Sequence, residues 1–223
     1  MSTKARLPLF LAAAAALCAQ ERFDYVVRGD FFAGLAGNRS ALDRAMKKCD
    51  EMLAANPKHA EAMVWHGSGT FYLSGQAAQT GDFVKSMDLY KQGLREMAAA
   101  VALAPDNVGV VIPRGATLLI GSRNVPGENG KELLRMGIAD YEHVYQLQSS
   151  RFDKLPGHAR GELLFGLAEG YARLGDSDQA RRWFEKLAAV DDPENGHLAQ
   201  ARAYLASGSL SGTVNCVGCH VGK

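Results

Sequence analysis

The sequence predicts an all-α chain built from tandem antiparallel helix hairpins. Three observations carry that expectation. Apolar residues recur at helical spacing in one segment after another. No run alternates apolar and polar residues with β-branched enrichment, as a strand would. Two stretches also repeat one another at a fixed offset. Hydrophobic residues make up 47% and charged residues 22% of the 223, globular proportions that allow a sizeable core.

The helices can be taken in order. In ALDRAMKKCDEML, Leu42, Ala45, Met46, Cys49, Met52 and Leu53 fall on one helical face, and Asn56-Pro57 stops the run. In SMDLYKQGLREMAAAVAL, Met87, Tyr90, Leu94, Met97, Val101 and Leu103 line a similar face before Ala104-Pro105. In SDQARRWFEKLAAVDDP, Ala180, Trp183, Phe184, Leu187 and Val190 repeat the pattern before Pro193. Pro57 and Pro105 stand 48 residues apart, and at equal distances they precede His66-Gly67 and Arg114-Gly115. NPKHAEAMVWHGSG and APDNVGVVIPRGAT are therefore one structural stretch written twice. A third unit, ARGELLFGLAEGYARLGDSDQARRWFEKLAAVDDP, follows at a similar interval.

That third unit resembles a tetratricopeptide repeat. Leu167, Ala168 and Tyr171 match its first helix, Gly175-Asp176 its turn, and Ala180, Phe184 and Leu187 its second helix. Ala45, Cys49, Met52 and Pro57, and likewise Gly93, Met97, Ala100 and Pro105, match the second-helix pattern, with Gly67 and Gly115 at the small first-helix position. The family period is about 34 residues. The longer spacing here predicts longer helices or inserts near 75–82 and 123–130. The resemblance spans most of 25–205 and is strongest over 160–193. It implies a TPR-like α-solenoid over 20–206, with a concave surface that takes a protein or peptide partner. ASGSLSGTVN, residues 206–215, is uncharged and rich in Ser and Gly, and the segment 207–223 is expected to be a flexible C-terminal tail.

Residues 1–19 read as an export signal. Lys4 and Arg6 precede an apolar run from Leu7 to Leu17 and then small residues, with cleavage placed after Ala19. The run is too short to anchor the chain, so the mature protein is expected to be exported, most simply to the periplasm, with no transmembrane anchor. Formal net charge is +1 for the whole sequence, which gives no electrostatic case for nucleic acid. Cleavage leaves three cysteines, Cys49, Cys216 and Cys219, an odd count that does not read as a disulfide scaffold. Cys49 is expected to be a buried small hydrophobe.

Near the C-terminus, Cys216-Val217-Gly218-Cys219-His220 forms a C-x-x-C-H pentad. Covalent haem attachment needs two thiols one turn apart to add across the two vinyl groups, and the adjacent histidine to reach the iron. Cys216, Cys219 and His220 meet that requirement in order, and an exported chain is where haem c is attached. The other uses of the pentad are a Cys216–Cys219 disulfide or redox pair, or a metal site lacking its fourth ligand. Small cytochromes c place this motif near their start, whereas only Val221, Gly222 and Lys223 follow His220 here. Three arrangements are then open: the helical array supplies the pocket and second ligand, the haem is exposed, or a partner covers it.

A second axial ligand is harder to place. His66 is a weak candidate at a first-helix core position, where a satisfied structural histidine is the commoner case. His143 is expected at the surface, and His59, His158 and His197 in polar turns. Met97 and Met136 read as core fillers. Arg114 and Arg160, each preceding a glycine, are candidates to face the groove and hold a carboxylate, with solvated or structural salt-bridging arginines the commoner case. VPGENG has no P-loop lysine. No Ser-His-Asp, paired-carboxylate or H-E-x-x-H arrangement is present, so hydrolytic catalysis has no basis. The expected role is electron transfer by a haem-bearing scaffold; the alternative is a non-redox peptide-binding scaffold with a disulfide or vestigial motif.

Overall fold

A computed structural model describes residues 22–210. The described residues form nine α-helices and no strand: α1 Phe23–Leu35, α2 Arg39–Ala55, α3 Ala60–Gln79, α4 Phe83–Leu103, α5 Val108–Gly121, α6 Gly127–Gln148, α7 Gly157–Leu174, α8 Ser177–Ala188 and α9 Leu198–Ser207. A 3-10 turn, Ser149–Lys154, joins α6 to α7. The chain is all-α, as expected, and its packing consists of consecutive hairpins, α1/α2, α3/α4, α5/α6 and α7/α8, followed by α9. This arrangement is consistent with a TPR-like solenoid. The expected leader, 1–19, and the C-x-x-C-H motif lie outside the described residues.

Short polar side chains start many of these helices. Asn38, Asp82, Asn107 and Asp176 each accept a hydrogen bond from a backbone amide of the first turn of α2, α4, α5 and α8, which satisfies an otherwise orphaned donor. Gly175, at φ 84°, closes α7 in the left-handed conformation that favours glycine. Pro57 and Pro105 follow the ends of α2 and α4 closely, as expected. Pro193 does not stop α8, which ends at Ala188.

Glycine lets the hairpins close. A Cβ on Gly93 would lie 2.7 Å from the Gly67 carbonyl oxygen and 2.7 Å from the Phe71 nitrogen. A Cβ on Gly137 would lie 3.0 Å from the Gly115 carbonyl oxygen. The Gly67/Gly93 and Gly115/Gly137 contacts are thus the same close crossing in two successive hairpins. The long repeat has a specific cause: α3 and α4 are 20 and 21 residues long, and only residues 80–82 join them. No insert sits at 75–82, most of which is the last turn of α3. Between α5 and α6 a short connection does occupy part of 123–130.

The core divides into two clusters. Val27, Phe31, Leu42, Cys49, Val64 and Met97 centre the N-terminal one; Leu164, Phe165, Leu167, Phe184, Leu187 and Tyr204 centre the C-terminal one. Both reach α5, where Val110 and Leu118 join the first and Val111 and Leu119 the second. The predicted face of α4 is buried only in its middle, at Met97; Met87 and Leu103 are exposed.

Candidate functional site

The first helices of the hairpins, α1, α3, α5 and α7, line one side of the molecule. Glu61, in the first turn of α3, gathers three of their N-termini. Its carboxylate accepts a hydrogen bond from the Phe23 amide of α1 at 2.9 Å and from the Asn107 side chain beside α5 at 3.1 Å. An acid at helix N-termini is where the backbone dipoles favour it. The inner helices therefore run in one direction, with their N-termini at one end.

Between them lies a groove of about 1230 Å³, larger than the usual small-ligand site of about 300–1,000 Å³. Its walls are mainly apolar and aromatic, with Phe31, Trp65, Tyr72, Ile112, Ala116 and Phe165 among them. Two polar atoms on this wall are buried without a hydrogen-bond partner among the described residues: Trp65 Nε1, a donor, and Asp24 Oδ1, an acceptor. Trp65 is 8% and Asp24 5% exposed. Buried polar atoms are ordinarily paired, so two orphans on one groove wall mark a place where something polar is to be met. The other Asp24 oxygen is held by Arg22 at 3.0 Å and lies 3.8 Å from Arg28.

At the far end, Arg123 of the α5–α6 connection pairs with Glu169 of α7 at 2.8 Å. Arg173 donates to the Leu119 carbonyl at 2.9 Å and to Ser122 Oγ at 2.7 Å. These bonds tie the C-terminal ends of α5 and α7 together. Burial holds the Arg173 guanidinium below its ordinary range, opposed by Glu169.

The histidines fall into different settings. His158, in the first turn of α7, is the one histidine among the described residues that lines the groove, and none of their Met or Cys side chains lines it. His66 faces the other way, into a shallow hollow of about 410 Å³ formed with Leu53, Pro57, Met63 and Glu96. Its Nδ1 lies 2.6 Å from Glu96 Oε2, and its Nε2 lies 3.2 Å from Asp50 Oδ1. Glu96's hydrogen bond raises the His66 pKa against the effect of burial. For Glu96, burial pushes upward, but the bonds from His66 and Gln92 outweigh it and hold the carboxyl low. Both ring nitrogens of His66 are therefore committed to carboxylates.

His143 is surface-exposed and bonds to Asp106 at 3.0 Å, as expected. His59 caps α3 by accepting from the Ala62 amide. His197 departs from expectation. It is 2% exposed, stacked on Phe165 with ring centres 4.2 Å apart, and bonded to Glu162 at 2.9 Å. Arg114 pairs with Asp140 through two bonds, one of them 2.7 Å, and Arg160 with Asp192 at 3.0 Å, so both take the commoner, structural ion-pair role. Cys49 is fully buried, and burial pushes its thiol up to about 12.

A concave surface was expected; which residues line it, and the orphaned atoms on its wall, were not. A signal existed: α3 and α5, in AMVWHGSGTFYL and VGVVIPRGATLLIG, are apolar on more than one side, as a helix is when it packs outward and also lines a cleft. No group of three or more His, Cys, Asp or Glu side chains able to hold a metal occurs among the described residues. No helix among them is long and apolar enough to cross a membrane. No protein-family profile matches this chain, and no curated protein matches it.

Proposed function

We propose that this protein is an exported, periplasmic, single-haem c-type electron carrier built on a TPR-like scaffold. The observation that carries this reading is the pentad Cys216-Val217-Gly218-Cys219-His220. Each thiol S–H adds across a vinyl group of the haem, forming a C–S bond with its hydrogen moving to the other vinyl carbon and no leaving group. His220 supplies one axial nitrogen. The role that follows is exchange of single electrons with a partner protein, which the haem would supply when bound at Cys216, Cys219 and His220. The array's part is to hold the haem and to dock a protein or peptide.

The groove bears on the same question. Its apolar, aromatic walls suit a flat macrocycle, and Arg22 and Arg28 among its lining residues suit carboxylates. A non-redox scaffold with a Cys216–Cys219 disulfide is the second reading, favoured by the size of the groove, which would take an extended peptide without any haem. The deciding experiment is expression with the leader in a host that matures c-type cytochromes, followed by the pyridine haemochrome spectrum of the denatured protein. Covalent haem, removed in Cys219→Ala with helical circular dichroism retained, supports the first reading. Its absence refutes it.

A further inference from the structure

We propose that the groove binds a long-chain carboxylate that carries an O–H or N–H donor beside its carboxylate. Its polar head is held among Arg22, Asp24, Arg28 and Trp65, and its chain lies along the apolar walls. The inference goes beyond the haem reading and does not depend on it.

The head site is defined by what α1 and α3 leave unpaired. Asp24 is 5% and Trp65 8% exposed, and both line the groove. Asp24 Oδ1 and Trp65 Nε1 have no hydrogen-bond partner among the described residues. The Phe23 amide donates to Glu61 at 2.9 Å, which sets the register of the two parallel helices. Asp24 lies one residue beyond that contact and Trp65 four, so they are offset by only about 4.5 Å along the axis. Helical side chains lean toward the N-terminus, and the longer indole leans further, which narrows the offset. The indole N–H asks for an acceptor and the Asp24 oxygen for a donor, so the head must offer both.

Charge selects among such heads. Arg22 lies 3.0 Å and Arg28 3.8 Å from Asp24. Two cations thus face one anion, because the Glu61 carboxylate is committed to the Phe23 amide and Asn107. A single negative charge restores the balance. A carboxylate accepts from the indole and a guanidinium, while a hydroxyl or amide beside it donates to Asp24. The Arg22 and Arg28 side chains are each 46% exposed, long enough and open enough to turn aside as a head group enters. Other charged residues of the lining are engaged elsewhere: Arg123 with Glu169 at 2.8 Å and Glu162 with His197 at 2.9 Å.

The walls select the body. Phe31, Phe32, Leu35, Ile112, Ala116 and Ile120 line the groove. Polar groups further along α3 are already paired: Ser68 accepts from Thr117 and donates to the Met97 sulfur, and Gln76 accepts from Arg39. An extended peptide would bring an amide and a carbonyl at every residue and strand them on such walls, whereas a hydrocarbon chain brings none. α3 has 20 residues, hence a length of about 30 Å, which leaves room for an extended chain.

The test is titration calorimetry on the full chain, matured as above, with submicellar 3-hydroxydodecanoate; whether haem is found on the protein does not alter it. The hydroxy acid is expected to bind saturably, one per chain. Dodecanoate, which lacks the donor for Asp24, should bind about tenfold more weakly, and dodecylammonium should not bind. Trp65→Phe keeps the ring but removes the N–H, and should weaken both acids alike. Arg28→Gln, at a half-exposed position that the fold tolerates, should do the same, with thermal unfolding confirming that the variant is folded. Val84→Ser, on the exposed start of α4 outside the lining, should change nothing. No binding of the hydroxy acid, equal affinity for the two acids and the ammonium, or binding indifferent to both Trp65→Phe and Arg28→Gln overturns the inference. Binding of an uncharged apolar decapeptide where the acids fail makes the occupant a polypeptide and overturns it as well.

Discussion

Gly93→Ala places one methyl group where α3 and α4 come closest. The new Cβ would lie 2.7 Å from both the Gly67 oxygen and the Phe71 nitrogen and 2.9 Å from the Phe71 Cβ. Two of these atoms belong to the backbone of α3, so no side-chain rotation relieves the contact. Ordinary contact begins at 3.4 Å, and the helices must therefore part by roughly 0.7 Å along that line. A gap of that order forfeits a quarter to a half of each dispersion contact it opens, and the seam includes Phe71, Met97 and Ala100, all buried. Overpacking of this kind costs up to about 3 kcal/mol. Replacing glycine by alanine in a helix returns about 1 kcal/mol, which leaves a net loss of about 2 kcal/mol. For a chain of this size that lowers Tm by about 4–8 °C. Gly29→Ala is the control, because Gly29 lies within α1 and a Cβ there meets nothing within 4 Å; it should stabilise by about 0.5–1 kcal/mol. Both are read by thermal and urea unfolding followed by circular dichroism. If Gly93→Ala is neutral or stabilising, the close-crossing argument is wrong.

The His66–Glu96 pair should contribute stability over a defined pH window. Glu96 is held low, so its contribution is complete above the ordinary carboxyl value of 4.5 and fades as pH falls through the lowered folded pKa; His66 is raised, so its contribution is complete below 6.5 and fades as pH rises through the raised folded pKa. Glu96→Gln should therefore cost most between these values, and a double-mutant cycle with His66→Ala should give a coupling of about 1.5–3 kcal/mol; a pH-independent cost refutes the pairing. Asp140→Ala leaves Arg114 largely buried without its carboxylate and should cost about 3–5 kcal/mol by urea unfolding. Cys49 should resist thiol reagents at pH 8 in the native protein and react on denaturation, since burial both hides it and holds it protonated; rapid native labelling at Cys49 would contradict that.

The alternation of helix and stop was legible because it is local. Asn56-Pro57 and Ala104-Pro105 each end a helix through one residue's steric demands, and the recurrence of Gly67 and Gly115 marked the same crossing twice. What escaped depended on residues far apart in sequence. Glu96 lies 30 residues from the histidine it binds, and Glu162 lies 35 from His197, so polar turns looked plausible for a residue that is in fact stacked and enclosed. The lining of the groove escaped for a related reason: Trp65 next to His66 reads as core until four parallel helices are seen to share one wall. Longer helices and an insert near 75–82 were both open from the sequence; the helix continues through Gly75, an exposed position where a Cβ would meet nothing within 4 Å.

The two cores meet on α5, and that helix contains Pro113. Proline supplies no amide to the carbonyl one turn earlier, so the wall shared by both halves lacks a rung of its own ladder at its middle. A solenoid deforms where neighbouring units are least stiffly joined. Both cores and the groove thus share a wall whose helix is held by one backbone hydrogen bond fewer than its length allows.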